Sequence, residues 1–172
     1  MFKHIYSVIF FFIFITGPIS SEEKIVFIDI DKVIYQSELG KKLNKKITDE
    51  IKKEDSKLRK KEKELQNKEN DILKQKNILS QEELNVKITK LKKEIKDFKD
   101  ERRSINKKYT DQRLKQTNSM VMSLNSILSD YANKNSISLI IQKKNIVIGK
   151  SALDITDQII EIFNKEVKSL KN

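Results

Sequence analysis

Residues 51–79 read IKKEDSKLRKKEKELQNKENDILKQKNIL, and their apolar side chains recur every seven positions. The members of this series are Ile51, Leu58, Leu65, Ile72 and Leu79. A seven-residue apolar repeat is typical of a helix that packs along one stripe against a second helix, as in a coiled coil. The other heptad core positions are polar: Glu54, Lys61, Lys68 and Gln75. We therefore expect a long helix with a thin apolar seam.

A second apolar series follows in a different phase. Its members step by threes, fours and one seven: Ile88, Leu91, Ile95, Phe98, Ile105 and Tyr109. The step of five from Leu79 to Leu84 breaks the heptad phase, which indicates a reversal of chain direction. At this break Ser80 and Glu83 form the S-x-x-E pattern of a capping box, which starts a new helix. The sequence thus predicts an antiparallel coiled-coil hairpin; a single solvated helix or a disordered charged linker is the alternative.

The arm formed by this hairpin, residues 41–116 with its tip near 77–80, carries most of the positive charge. It contains 26 Lys or Arg against 15 Asp or Glu, a net charge of +11. A basic surface attracts anionic partners such as nucleic acid, an anionic membrane or acidic segments of a protein. The other interpretation is that these lysines only solvate an exposed helix.

Residues 1–21 are predicted to be an export signal. Lys3 provides the positive charge, and the apolar region Ile5–Ile15 is too short to cross a hydrocarbon core of about 30 Å. The alternative is an uncleaved membrane anchor, because Pro18 stands where a signal peptide usually has a small residue. Export from the cytoplasm makes nucleic acid an unexpected partner.

The segments 22–40 and 117–172 are expected to form the two parts of a small β head domain, which gives an α+β fold overall. Three short strands are predicted, at Ile25–Ile30, Ile137–Gln142 and Asn145–Ile148, the last two as a β-hairpin. A three-stranded sheet leaves two open edges, which several copies of the chain can close by joining their sheets around a symmetry axis. The candidate core residues of this oligomer are Ile25, Phe27 and Ile140.

Two short helices complete the predicted head. Asp31 is expected to cap a helix from Lys32 to Leu39, and Gly40 allows a bend before the arm begins at Lys41. A last helix is expected to open at Asp154 or Thr156, either of which can cap it.

Enzymatic chemistry finds no support in the sequence. His4 is the only histidine and lies in the predicted signal, and cysteine is absent, so that triad and thiolate schemes lack their residues. Three scattered glycines cannot form a phosphate-binding loop. Asp29 and Asp31 are interpreted as capping or surface residues. We expect no catalysis, no metal and no cofactor.

One basic feature of the arm is a candidate contact for a phosphate or carboxylate on a client or lipid. It comprises Arg102, Arg103, Lys107 and Lys108. Arg102 falls on a heptad core position between Phe98 and Ile105, where its aliphatic stem can pack while the guanidinium reaches the edge. Pairing of these cations with neighbouring acids is the alternative.

Two motifs at the ends of the mature chain point to a family. IDIDKVIYQSELGKK at 28–42 and LDITDQII at 153–160 resemble the Skp (OmpH-like) periplasmic chaperone family, and the resemblance covers residues 24–170. It implies a homotrimer whose strands form a small barrel, from which three helical hairpins enclose unfolded outer-membrane proteins without ATP. Anionic lipid or lipopolysaccharide is a further candidate partner. The alternative function is a membrane-tethered structural coiled-coil protein of the cell envelope.

Overall fold

A computed structural model describes residues 23–170 of the chain. Two strands and four helices follow one another in the order β1, α1, α2, α3, β2, α4. Their bounds are β1 Lys24–Ile28, α1 Ile30–Gln36, α2 Glu38–Gln75, α3 Gln81–Lys134, β2 Ile137–Gln142 and α4 Thr156–Glu166. Two short 3₁₀ turns, Lys143–Asn145 and Ser151–Leu153, lie between β2 and α4. The predicted combination of a long helical hairpin and a small sheet is confirmed.

The hairpin turns where the phase of the apolar repeat breaks. The Ser80 backbone N–H and hydroxyl both donate to Glu83 Oε2, at 3.0 and 2.8 Å, and the Glu83 N–H donates to Ser80 Oγ at 3.3 Å. This is the predicted capping box, and it supplies partners for the first N–H groups of α3. At about 1.5 Å per residue, the 38 residues of α2 extend roughly 57 Å from the head to this tip.

The seam between α2 and α3 is apolar but thin. Its buried members are Ile47, Leu65, Leu84, Phe98 and Tyr109. The heptad residues between them, such as Leu58 and Ile72, are only half-buried. Because each helix has a single apolar stripe, the two helices cover one another along one side only. The outer faces of the arm are left exposed to solvent.

The root of the arm differs from its prediction. Asp29, rather than Asp31, caps α1, since Asp29 Oδ1 accepts a hydrogen bond of 2.8 Å from the Lys32 N–H. Asp31 lies two residues further on, in the first turn of α1, where an acidic side chain complements the helix dipole. Ser37 then caps α2 by accepting from the Gly40 N–H at 3.2 Å. The chain therefore bends at Ser37, and the arm helix begins three residues before the predicted start.

Gly40 lies inside the first turn of α2, where the helix passes the end of α1. A Cβ atom built at this position would lie 1.8 Å from the Ile34 carbonyl oxygen. No other residue has a small enough side chain for this approach. Glycine is thus required by the closeness of α1 and α2 rather than by a bend.

The sheet contains two parallel strands, so the predicted three-stranded arrangement is wrong. β1 pairs with β2 in the register Ile25↔Leu139 and Phe27↔Ile141. Within residues 143–150 the chain forms a 3₁₀ turn and irregular structure instead of the predicted strand Asn145–Ile148.

The return path of the chain after β2 explains the missing strand. Lys143 Nζ lies 2.7 Å from Asp154 Oδ2, and the Ile155 N–H donates to the Phe27 carbonyl at 3.0 Å. These contacts bring residues 154–155 to the free edge of β1, where a single bridge joins Phe27 and Asp154. The segment 145–148 is therefore carried away from the edge of β2, and no β-hairpin forms.

The core of the head lies between the inner face of the sheet and the helices. Its fully buried members include Ile28, Val33, Leu124, Ile159 and Phe163. One buried polar residue, Thr156, ties β1 to α4: its Oγ1 accepts from the Asp29 N–H at 2.9 Å, and its own N–H donates to Asp154 Oδ1 at 3.0 Å. The N-cap of α4 is Ile155, so these polar side chains flank the cap instead of occupying it.

None of the described helices combines the length and apolar character needed to cross a membrane. The predicted export signal, residues 1–21, lies outside the described residues.

Candidate functional site

Three polar contacts join α2 to α3 in the distal half of the arm. They pair Lys61 with Glu101, Lys68 with Glu94 and Gln75 with Lys87, at 2.5, 2.6 and 2.6 Å. Successive contacts are seven residues apart on both helices, so all three lie on the same side of the seam. We call this set the cross-arm ladder. Its α2 members occupy the polar heptad positions identified from the sequence.

Two of the ladder residues, Lys61 and Glu94, have shifted pKa values. The hydrogen bond from Lys68 lowers the pKa of the Glu94 carboxyl, and the hydrogen bond to Glu101 raises the pKa of Lys61. Exposed ion pairs of this kind contribute little to stability. Their main effect is to hold the two helices in one register, because a shift of either helix would separate all three pairs.

The proximal half of the arm lacks such bridges. Among residues 38–60 and 102–134, no ion pair or side-chain hydrogen bond joins α2 to α3. The next rung would pair Glu54 with Lys108, but Glu54 Oε1 accepts from Lys57 at 3.0 Å instead. Lys108 Nζ lies 5.2 Å from the centre of the Tyr109 ring. The edges of the seam are therefore open here.

A groove of about 310 Å³ lies on one side of this open section. Its apolar lining consists of Ile51, Leu58, Ile105 and Tyr109, and its polar lining of Asp55, Arg102, Asn106, Thr110 and Arg113. Arg102 and Arg113 are eleven residues apart, which places them on the same side of α3 and about 16 Å from one another. Within residues 23–170 neither makes an ion pair, whereas Asp55 is bonded to Arg59 at 2.8 Å. We call this the arginine groove.

A second groove, of about 700 Å³, opens elsewhere along the same section. Four lysines dominate its lining, which comprises Lys52, Lys53, Lys57, Lys108, Glu50, Glu54, Ser56 and Tyr109. We call it the lysine groove. Tyr109 is buried and lines both grooves, so its ring forms part of the wall between them.

The four basic residues singled out from the sequence do not form one cluster. Arg102 lines the arginine groove and Lys108 lines the lysine groove. Arg103 Nη1 lies 3.9 Å from Asp100, and Lys107 Nζ lies 2.6 Å from Asp111, both on the same helix. Arg102 borders the seam beside Ile105 and Tyr109. Its side chain is exposed, because the seam is so thin that the guanidinium reaches water directly.

Comparisons with known proteins agree with this architecture. Residues 24–163 match the family described as "Outer membrane protein (OmpH-like)". The chain belongs to the OmpH-like family. The fold is also similar to the crystal structure of a candidate outer membrane chaperone (OmpH-like) from Caulobacter crescentus, with a TM-score of 0.77 and 16% identity over 91% of each chain. A search of curated proteins finds no match.

The sheet of this OmpH-like chain has an uncovered outer face. Ile25 and Leu139 are register partners on that face and are 43% and 50% exposed. Phe27 lies on the same face but is buried, with Gly149 close to its ring. Ile140 lies on the opposite face, half-buried against the helical core. Of the three candidate oligomer residues, only Ile25 is thus exposed in a single chain.

Several residues of the OmpH-like arm were missed by sequence reasoning. Arg113 is one, although its spacing of eleven from Arg102, three helical turns, is a signal that the sequence contains. Lys52, Lys53 and Lys57 are the others, and nothing in their local pattern separates them from the many exposed lysines. Within residues 23–170, no group of His, Cys, Asp or Glu is arranged to hold a metal ion.

Proposed function

We propose that this protein is an ATP-independent holdase of the periplasm, which binds unfolded outer-membrane proteins between its arms and prevents their aggregation. The observation that carries the proposal is the arm itself. It is a slender two-helix projection of roughly 57 Å whose proximal half has open grooves with apolar and basic linings. Membership of the OmpH-like family supports a chaperone.

The proposed holdase acts as a homotrimer joined at the head. Exposed Ile25 and Leu139 on the outer face of a two-stranded sheet, beside a β2 edge that pairs with no other described strand, support association with further copies. The nearly fully exposed Val147 and Ile148 lie in the segment for which the sequence predicts a third strand. In the assembly this segment would find the neighbouring strand that it lacks in a single chain. Three arms would then surround one cavity.

The grooves offer weak contacts of two kinds. Unfolded β-barrel precursors expose alternating apolar residues that would otherwise pair edge to edge. The apolar lining of the arginine groove matches such residues, and the cations of both grooves attract acidic segments before contact is made. Many weak contacts on three arms retain a client without fixing its conformation, and they allow release without a nucleotide. No cofactor is required.

Anionic lipid or lipopolysaccharide is a second candidate ligand for the basic grooves, since phosphate and carboxylate are recognised by the same guanidinium and ammonium groups. The family and the predicted export signal support a periplasmic location. Nucleic acid is not expected there.

The decisive experiment shortens the arm without changing its tip or register. Deletion of residues 48–61 together with 101–114 removes two heptads from each helix, and with them all the residues that line the arginine and lysine grooves, while the antiparallel register of the remaining arm is kept. Light scattering should report an intact trimer. Suppression of aggregation of an unfolded outer-membrane protein should be lost. Full suppression by the shortened trimer would assign client binding to the head and refute the proposal.

Two matched double variants distinguish the effect of the groove cations on client association from the effect of the overall charge of the arm. Arg102→Gln with Arg113→Gln removes two cations from the arginine groove, and Arg103→Gln with Lys107→Gln removes two cations that are paired with acids on α3. Both pairs change the net charge equally. Association with an acidic client at low salt should slow more for the groove pair. Equal slowing would mean that the charge of the arm acts only as a diffuse field.

A further inference from the structure

A pocket of about 80 Å³ lies at the root of the arm, where α1, α2 and α3 meet. We call it the root pocket. Its floor and walls are apolar: Ile34, Ile47 and Met120 are buried, and Leu43 is half-buried. An apolar cavity of about 150 Å³ is large enough to bind benzene. The root pocket has about half that volume, so it matches an aliphatic side chain of the size of leucine or valine better than an aromatic ring.

The mouth of the root pocket carries polar side chains and one aromatic ring. The polar members are Asn44, Arg113, Gln116 and Thr117, and the aromatic member is Tyr35 of α1, which is 58% exposed. A tyrosine ring in this position can cover a bound apolar side chain while its hydroxyl stays in water. An apolar floor with a few polar groups at its mouth is typical of a site that binds a ligand in one orientation.

Arg113 lines both the root pocket and the arginine groove. Its guanidinium makes no ion pair within residues 23–170. Asp111, the nearest acid along α3, is bonded to Lys107 at 2.6 Å. The spacing of the cross-arm ladder places Asp49 level with Arg113, but Asp49 is about 200° around α2 from the buried Ile47 and faces away from the seam. The guanidinium is thus available to bind a carboxylate through two parallel hydrogen bonds.

The root pocket continues the arginine groove on the same side of the seam. On α2, Asn44 of the pocket is eleven residues, or three helical turns, from Asp55 of the groove. On α3 the same spacing relates Thr117 to Asn106. From Leu58 to Asn44 the path is about 21 Å long, which accommodates about six residues of an extended chain.

This path is closed at the head. Ile34 and Tyr35 of α1 line the pocket, and α1 approaches α2 so closely that a Cβ atom at Gly40 would meet the Ile34 carbonyl oxygen. An extended chain that reaches the pocket from the groove must therefore end there or turn out into solvent. A C-terminal residue supplies both groups that the site fits, an apolar side chain for the floor and a carboxylate for Arg113.

We propose that the root pocket binds the C-terminal residue of an unfolded client. Its aliphatic side chain lies on the buried floor, its terminal carboxylate pairs with Arg113, and the preceding residues lie along the arginine groove. The inference rests on the proposed holdase function and names the part of the client that this site takes. An Asp or Glu side chain inside a client offers the same carboxylate, but the chain then continues on both sides of it, for which the closed end has no room.

Fluorescence anisotropy with labelled peptides tests which carboxylate is bound. The protein is used as recovered after export, and the probe is an octapeptide of alternating serine and valine that ends in leucine with a free carboxylate. The same peptide with a C-terminal amide should bind at least tenfold more weakly, because the charged pair with Arg113 is lost. An amidated peptide with glutamate before the leucine should bind as weakly. Equal binding of free acid and amide, or full binding of the glutamate peptide, would overturn the proposal.

Two arginine variants show whether Arg113 is the group that reads the carboxylate. Arg113→Gln should abolish the preference for the free acid over the amide. Arg102→Gln is the matched control, because it removes a cation from the same groove three turns away, and it should keep a preference of at least tenfold. If both variants lose the preference equally, the carboxylate senses only the field of the groove and the assignment to Arg113 is wrong.

A third pair of variants tests the pocket itself. Asn44 is exposed at the mouth, so Asn44→Phe should cover it and weaken binding of the free-acid peptide at least tenfold. Asn67→Phe, at an exposed asparagine in the distal half of α2, should bind as the parent does. Equal affinities of these two variants would place the leucine elsewhere and refute the proposal. Aggregation suppression of an unfolded outer-membrane protein by the parent protein is a separate readout: suppression without any preference for the free carboxylate would refute this inference and leave the holdase proposal standing.

Discussion

Gly40→Ala tests the junction between head and arm, because two physical effects predict changes of opposite sign in the free energy of unfolding. In a helix interior alanine is more favourable than glycine by about 1 kcal/mol, so helix propensity alone would stabilise the protein. The added Cβ, however, would lie 1.8 Å from the Ile34 carbonyl oxygen, whereas ordinary contacts begin at 3.4 Å. The obstacle is backbone, so α1 as a whole must retreat by about 1.6 Å.

The size of this displacement of α1 determines the expected loss of stability. Overpacking costs about 1–3 kcal/mol, and displacement of a backbone segment belongs at the upper end of that range. With about 1 kcal/mol returned by helix propensity, the net destabilisation is about 2 kcal/mol. For an m-value of about 2 kcal/mol/M, the urea midpoint should fall by about 1 M.

Urea unfolding followed by circular dichroism, at one fixed protein concentration, measures this change. Gly149→Ala is the matched control, since its Cβ would lie 2.9 Å from the Phe27 ring, a side chain that can rotate aside. It should lower the midpoint less than Gly40→Ala does. A Gly40→Ala midpoint equal to or above that of the parent would refute the reasoning, because helix propensity would then outweigh the close approach of α1 and α2.

Three further predictions concern the tip, the ladder and the head. Ser80→Ala should destabilise the start of α3 by about 1 kcal/mol and speed amide exchange there, whereas Ser104→Ala in the middle of α3 should not. The hydrogen bond from Lys68 lowers the folded-state pKa of Glu94, so this carboxyl stabilises the arm at pH values above its unfolded-state pKa. That contribution is lost as the pH falls through the folded-state pKa. A circular dichroism titration should therefore show less acid-induced loss of helix in Glu94→Gln than in the parent. Ile25→Asp with Leu139→Asp should dissociate the proposed trimer in light scattering while each chain keeps its helices, and a trimer that stays intact would exclude the outer face as the interface.

The elements that the sequence predicted well are those governed by local rules. The heptad spacing and the Ser80–Glu83 capping box depend on neighbouring residues alone, and the turn was found where they placed it. The errors fall where tertiary contacts decide. Residues 145–148 have the composition of a strand, but the pairing of Lys143 with Asp154 carries the chain to the edge of β1 instead. The local pattern allows either Asp29 or Asp31 to cap α1. The structure has Asp29 as the cap, and its N–H donates to Thr156, a residue far away in the sequence.

The candidate site was also predictable only in part, because tertiary contacts determine the surroundings of its residues. Arg102 was selected from its heptad position, yet its surroundings depend on how far the two helices are held apart and on which acids are already paired. Neither quantity is contained in the periodicity. The division of the basic residues between two grooves depends on the register of α2 against α3.

The cross-arm ladder explains why the arm has polar residues at half of its heptad core positions. A leucine replacing Lys61, Lys68 or Gln75 would be at most half-buried, as Leu58 and Ile72 are, yet it would still add part of the about 1.5–3 kcal/mol that full burial of leucine contributes, so stability alone does not account for the polar side chains. A hairpin with two apolar stripes would also pair with the arms of neighbouring copies, since coiled-coil seams do not distinguish partners by apolar contact alone. In the proposed trimer, such pairing would close the space in which a client is held. Polar pairs at these positions match α2 to its own α3 in one register and would leave the arms of the proposed trimer separate, as the proposed enclosure of a client requires.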